Sequence, residues 1–156
     1  MADNIRDNAG VIAPPPLIYA GALAAGLLLH RTFPLKFLRT GVAQVVGLAL
    51  IGVAGTVVTS AVREMRRAET PLNTTQPTKA LVVEGPFSFT RNPLYLSLAL
   101  LYAGIASRVN TLWAMLLLPV VRSVNNPGDI ERDEQYLEWK FGEEYVDYKK
   151  RVPRWL

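Results

Sequence analysis

No cysteine occurs in these 156 residues. That excludes disulfides, thiolate metal centres, a cysteine nucleophile, palmitoylation and a C-terminal prenylation box. Histidine is almost as scarce: His30 stands alone, leaves no cluster for zinc or haem, and reads as a structural residue. Charge is thin, at 19% of residues, where a soluble domain ordinarily carries about a quarter. The net charge of +4 comes from dispersed Lys and Arg rather than a basic run, so nucleic acid is not an expected partner. Met1–Gly10 carries two Asp and one Arg, and no small-residue cleavage site follows the first apolar run, so no cleaved signal peptide is expected. Internal repeats and low-complexity segments are also missing.

What is present is apolar sequence in long blocks. Leu17–Leu29, Leu38–Val62, Leu94–Ala106 and Leu112–Val121 carry Arg39 as their one charged residue. A charge at the bilayer centre costs about 2.5–3.5 kcal/mol on insertion scales, so this segregation predicts an integral membrane protein. The expected fold is all-α, a single domain over residues 1–156. It is a helical bundle of four membrane crossings, one per apolar block, with a cytoplasmic amphipathic C-terminal helix.

Residues 1–16 form a polar lead-in ending in Pro14-Pro15-Pro16, stiff and unsuited to a helix interior. The first run reaches spanning length, roughly 20 residues, only if the Pro15–Pro16 turn and His30–Phe33 join it; Pro34 then breaks it. Leu38–Val62 is the best span. Its Gly41, Gly47, Gly52 and Gly55, with Ala43, Ala49 and Ala54, offer small faces for close helix packing. Thr70–Thr78 reads as a loop, Ala80–Val83 as an apolar stretch at the interface, and Ser107–Asn110 and Asn125–Asp129 as turns. Pro119 should kink the fourth run, and Arg122, Asn125 and Asn126 should end it early. From Ile130 onward one charged, amphipathic helix is predicted. Lys and Arg concentrate in the 63–91 connection and the tail, whereas the opposite side holds Arg31, Lys36, Arg39 and Arg108. By the positive-inside rule both termini are cytoplasmic, in an inner or equivalent membrane.

Two segments are neither apolar nor plain loop. In Gly85-Pro86-Phe87-Ser88-Phe89-Thr90-Arg91-Asn92-Pro93-Leu94-Tyr95, a turn leads into a helix start that Thr90 or Asn92 can cap. The N-terminal amides there suit an anion, and Arg91 can fork onto a carboxylate or phosphate; an interfacial anchor of Arg and aromatics is the plainer alternative. In the tail, Glu134, Leu137, Phe141, Tyr145 and Tyr148 recur every three or four residues, near one helical stripe loosened by Gly142. An acid at one end of an aromatic stripe could take an adenosine, or the stripe could simply pack on the bundle.

Read together, Gly-Pro-Phe…Arg91-Asn92-Pro93-x-Tyr95 and Glu134-x-x-Leu137-x-x-x-Phe141-Gly142-x-x-Tyr145-x-x-Tyr148, closing on Val152-Pro153-Arg154, resemble a known signature. It is that of the isoprenylcysteine carboxyl methyltransferase and phospholipid methyltransferase superfamily, matched over residues 83–106 and 130–154 around a helical hairpin. The resemblance implies S-adenosylmethionine as cofactor, with residues 83–154 as the cofactor-binding half. It implies catalytic roles for Arg91 and Glu134, and a cofactor site of Gly85, Pro86, Asn92, Tyr95, Glu134, Leu137, Phe141, Tyr145 and Tyr148, with no metal. The acceptor would be lipophilic, carboxylate or amine, met among membrane lipids. Two positions depart from the family: Asn92 stands where most members carry His, and Asp133 replaces the first Glu of an acidic pair. Asn cannot act as an acid or base near neutral pH. Two other functions fit the same residues. One is an NADPH-dependent sterol or enone reductase-like enzyme, whose Arg-His-Pro-x-Tyr segment is similar; the other is a catalytically silent membrane assembly or lipid-binding module.

Overall fold

The computed structural model describes residues 14–71, 77–125 and 130–155. Most of the polar lead-in, the centre of the Thr70–Thr78 loop and most of the Asn125–Asp129 turn lie outside them. Among the described residues the structure is all helical. The helices are α1 (Pro15–Thr32), α2 (Thr40–Arg67), α3 (Pro93–Val109), α4 (Leu112–Asn125), α5 (Glu131–Phe141) and α6 (Glu143–Arg151), with a 3₁₀ turn at Gly85–Ser88. The chain forms two compact units, one containing Ala13–Val58 and Leu94–Asn125, the other Thr59–Pro93 and Asn126–Leu156.

Prolines punctuate the first unit. Pro15 and Pro16 occupy the first turn of α1, where a missing N–H costs nothing. The helix ends at Phe33, because the residue before Pro34 is pushed out of the helical region. Its core is Tyr19, Tyr102, Ala106, Ala114 and Val121. The Tyr102 hydroxyl donates to the Ala114 carbonyl at 2.8 Å, and Tyr19 meets the Tyr102 ring edge-on at 6.1 Å. Asn110, with φ +57°, closes the α3–α4 connection. Its side-chain oxygen accepts the Phe37 and Leu38 amides, both at 3.1 Å, and its Nδ2 donates to the Leu38 carbonyl at 2.6 Å. Trp113 adds an indole hydrogen bond to the Phe33 carbonyl at 2.8 Å. The two interhelical connections of this unit are therefore tied together.

Two expectations need correction here. The Ser107–Asn110 turn is shorter than its sequence suggests: α3 continues to Val109, and Asn110 alone makes the reversal. Nor does α4 end early, since it runs through Arg122 to Asn125 despite the polar residues.

Only α2, at 28 residues, is both long and apolar enough to cross a membrane among the described helices, and 17% of its most apolar window is buried. Val42, Val45, Leu48 and Val53 are exposed along it, as are Leu116 and Val120 of α4. Large apolar side chains exposed in this number suit hydrocarbon rather than water. Helices α3 and α4 are apolar but shorter, at 17 and 14 residues. Of the four crossings expected from the sequence, one is matched by a helix of full spanning length among the described residues.

The second unit contains the polar segments. Its apolar cluster is Tyr145, Tyr148 and Val152, with Leu81, Leu137 and Phe141 packed against it. Leu81, from the apolar Ala80–Val83 stretch, backs this cluster. The tail is two helices, not one. Gly142 adopts φ +55° and ψ −127°, a region that residues with a side chain rarely enter, and it breaks α5 from α6.

Candidate functional site

The site grows from Gly85–Asn92, whose backbone is fastened at several points. Gly85 takes φ +59°, and a Cβ there would come within 2.9 Å of the Glu64 side chain. Pro86 is buried, and its carbonyl accepts the Thr90 amide at 3.2 Å. The Tyr148 hydroxyl donates to the Phe87 carbonyl at 2.6 Å. Thr90, fully buried, donates its hydroxyl to the Arg154 carbonyl at 2.9 Å and accepts the Asn92 amide at 3.3 Å. The Arg91 amide donates to the Pro153 carbonyl at 3.0 Å. Arg91 thereby leaves a rigid loop, one residue before the buried Asn92 and two before α3 begins.

Its guanidinium meets the carboxylate of Glu134 from the first turn of α5. Arg91 Nη1 lies 2.9 Å from Glu134 Oε1, with side chains 10% and 7% exposed. The same carboxylate is forked by Arg154, whose Nε donates to Oε1 at 2.9 Å and Nη2 to Oε2 at 2.7 Å. Arg154 Nη1 also lies 3.9 Å from Glu131 at the solvent edge. Three cationic N–H groups thus crowd one carboxylate, leaving Oε2 the freer oxygen. Arg91 Nη1 further donates to the Tyr145 hydroxyl at 3.4 Å, while the buried Arg91 Nε has no partner among the described residues. A buried guanidinium N–H without an acceptor is costly, and its natural complement is an anionic group.

The electrostatics follow the geometry. Burial pushes the Tyr145 phenol up to about 12, with the Glu134 charge adding to the rise and Arg91 opposing it. Tyr148 is raised further, by burial first and by Tyr145 second. Both phenols are therefore neutral at physiological pH. Hydrogen bonding to Glu134 raises Arg154 above the ordinary guanidinium range.

Of the residues singled out in the sequence, Arg91, Asn92, Glu134, Tyr145 and Tyr148 come together, over the Gly85–Pro86 turn. Leu137 and Phe141 supply apolar backing to the tyrosines, whose rings sit 6.1 Å apart. Tyr95 stands in the first turn of α3, within Leu94–Asn125 rather than in the unit that contains the arginines. Asn92 directs its side-chain amide toward the Arg154 carbonyl at 3.5 Å, in a position where a residue is fixed rather than titrated. The sequence named Thr90 as a helix cap and Arg154 as the close of the signature, but gave neither a place in the site. The signal for Arg154 was the Val-Pro-Arg ending itself, a basic residue closing the aromatic pattern.

The sequence profile of a family described as phospholipid methyltransferase matches residues 42–144, well over half of the chain. The chain belongs to that family. The match takes in Arg91 and Glu134 and stops just before Tyr145, so the Tyr145, Tyr148 and Arg154 part of the cluster lies beyond it. An uncharacterized protein of Haemophilus influenzae is 41% identical over 63 residues, which is 40% of this chain and all of that protein. No solved structure matches. Membership implies methyl transfer at a membrane, in agreement with the apolar α2.

Proposed function

We propose that the protein transfers a methyl group from S-adenosylmethionine to a lipophilic acceptor at the cytoplasmic face of the inner or an equivalent membrane. In this reading the bundle crosses four times and both termini are cytoplasmic. The observation that carries it is the buried Arg91–Glu134 pair with its unpartnered Arg91 Nε. The donor set fits the cofactor's chemistry: Arg91 Nε offers a hydrogen bond to a carboxylate, and Glu134 Oε2 can accept from a hydroxyl or face a cation. When bound, the cofactor supplies a methyl group activated by its sulfonium.

The chain's own residues then act by placement rather than by proton transfer. Arg91 orients an anionic group, of the cofactor or of the acceptor, through the free edge of its guanidinium. Glu134 fixes that guanidinium and shares in holding the cofactor. Tyr145 and Tyr148 shape the pocket. Both, neutral and buried, keep water out of a displacement that needs alignment and a dry environment. Asn92, in place of the commoner His, offers no base near neutral pH. That favours an acceptor already nucleophilic, a carboxylate, over an ammonium that must first lose a proton.

The test is equilibrium titration of the purified full chain in detergent with S-adenosylmethionine and, separately, NADPH. Saturable binding of the former and none of the latter is expected. Binding of NADPH points to a reductase-like enzyme, and binding of neither to a silent membrane module; each outcome overturns the proposal.

A further inference from the structure

We propose that Arg154 is a positioning residue, and that the Val152–Arg154 segment is a strap holding Arg91 in its working orientation; this role rests on the methyl-transfer reading. Three observations converge on it. First, the strap grips the Arg91 loop through its main chain. The Pro153 carbonyl accepts the Arg91 backbone amide at 3.0 Å, and the Arg154 carbonyl accepts the Thr90 hydroxyl at 2.9 Å and the Asn92 side-chain Nδ2 at 3.5 Å. Pro153 and its neighbours thus fix both the backbone of Arg91 and the residues on either side of it.

Second, the Arg154 side chain reaches the same point by another route. Its fork closes on Glu134 at 2.9 and 2.7 Å, and Glu134 in turn meets Arg91 at 2.9 Å. A planar fork fixes the plane of the carboxylate as well as its distance. The oxygen offered to Arg91 is therefore oriented by Arg154, which is 27% exposed at its side chain and need not touch the cofactor.

Third, the charge count gives the arrangement a purpose. A lone Arg91–Glu134 pair would be neutral and a poor partner for an anion. With Glu134 shared between two guanidiniums, the trio has a net charge of +1. Glu131 lies at the solvent edge, 3.9 Å from Arg154, and the Asp133 charge is felt at Tyr145 less than that of Glu134. Arg91 thus keeps positive field at its unpartnered Nε while being held still. Sharing one carboxylate between two arginines solves both needs.

A double-mutant cycle tests the role: Arg154→Gln, Arg91→Gln and the double variant in the full chain, purified in detergent. S-adenosylmethionine affinity is read by calorimetry and folding by thermal melting. Arg154→Gln is expected to weaken binding on the order of tenfold, the effect of losing charge-assisted hydrogen bonds. In the Arg91→Gln background the same change should cost less than about twofold, because Arg154 acts through Arg91. Arg154→Lys, which keeps the charge and loses the fork, should fall between wild type and Arg154→Gln; it replaces Arg154→Gln in the cycle if that variant does not fold. A lowered melting temperature with unchanged affinity of the folded protein reduces Arg154 to a structural clamp and overturns the role, as do fully additive losses. A wild-type chain that does not bind S-adenosylmethionine overturns the methyl-transfer reading, and this role with it.

Discussion

Single residues decide the site through shared partners, and Glu134 is the one shared most. Its carboxylate is 7% exposed and serves Arg91 and Arg154 together. Glu134→Gln keeps the shape and removes the charge, so two guanidiniums are left facing an amide whose NH₂ opposes one of them. Breaking a buried ion pair by removing one partner costs on the order of 3–5 kcal/mol. The variant should therefore melt at a lower temperature and bind S-adenosylmethionine about tenfold or more weakly. Thermal melting and calorimetry on the same sample check both effects. If neither changes, Glu134 is only one of several acids favoured at a helix start by the macrodipole. Arg91 and Glu134 were legible in the sequence because each sits in a spaced motif. Arg154 was legible only as the close of that signature, because nothing in the spacing pairs a basic residue after Val-Pro with Glu134. Its partner lies 20 positions earlier, and the path between them turns at Gly142.

At the scale of elements, hydropathy and proline located the helices, while glycine was the ambiguous letter. The three-to-four spacing from Glu134 to Tyr148 continues across Gly142, so periodicity alone predicts one helix; the positive φ that splits it leaves no mark on the pattern. The glycines of α2 carry the same lesson. Seven small residues offer packing faces by sequence, yet Ala49 is exposed and a Cβ at Gly41, Gly52 or Gly55 would meet nothing within 4 Å. Ala43, Gly47 and Ala54 are the buried ones in that unit, at helical spacing on one face. At Gly47 a Cβ would lie 2.7 Å from both the Arg108 amide nitrogen and the Gly104 carbonyl, so α2 and α3 meet backbone to backbone. Gly47→Ala should then destabilise by about 1–3 kcal/mol, the usual penalty of overpacking. Gly52→Ala should be neutral or slightly stabilising, since it adds helix propensity in open space. Thermal melting of the two variants in detergent compares them directly, and equal behaviour would show that the α2–α3 approach can relax at no cost.

For the whole molecule, the property that matters most is which side of the membrane the arginine cluster faces, because the proposed cofactor, soluble and charged, would have to reach it. Lys and Arg gather in the 63–91 connection and the tail, where Arg91 and Arg154 themselves lie, and such bias marks the cytoplasmic side. Among the described helices α2 alone is long and apolar enough to span without help; α3, at 17 residues, rises about 26 Å and falls a little short of a 30 Å hydrocarbon core. Local thinning of the bilayer or flanking anchors would have to make up the difference. Four crossings with both termini inside is therefore a prediction about topology, and the chain is well suited to testing it. Having no cysteine, it accepts one label at a time on an unreactive background. Asn110 is spoken for by its hydrogen bonds to Phe37 and Leu38, so the probe for the far side belongs at the exposed Val109. Single cysteines at Asp3, Gln76, Val109 and Leu156, treated with an impermeant maleimide in intact cells, should label at Val109 alone. The other three should label only after the membrane is opened. External labelling at position 76 would place the connection leading to Arg91 outside, away from any cytoplasmic cofactor, and would remove the topological basis of the proposed reaction.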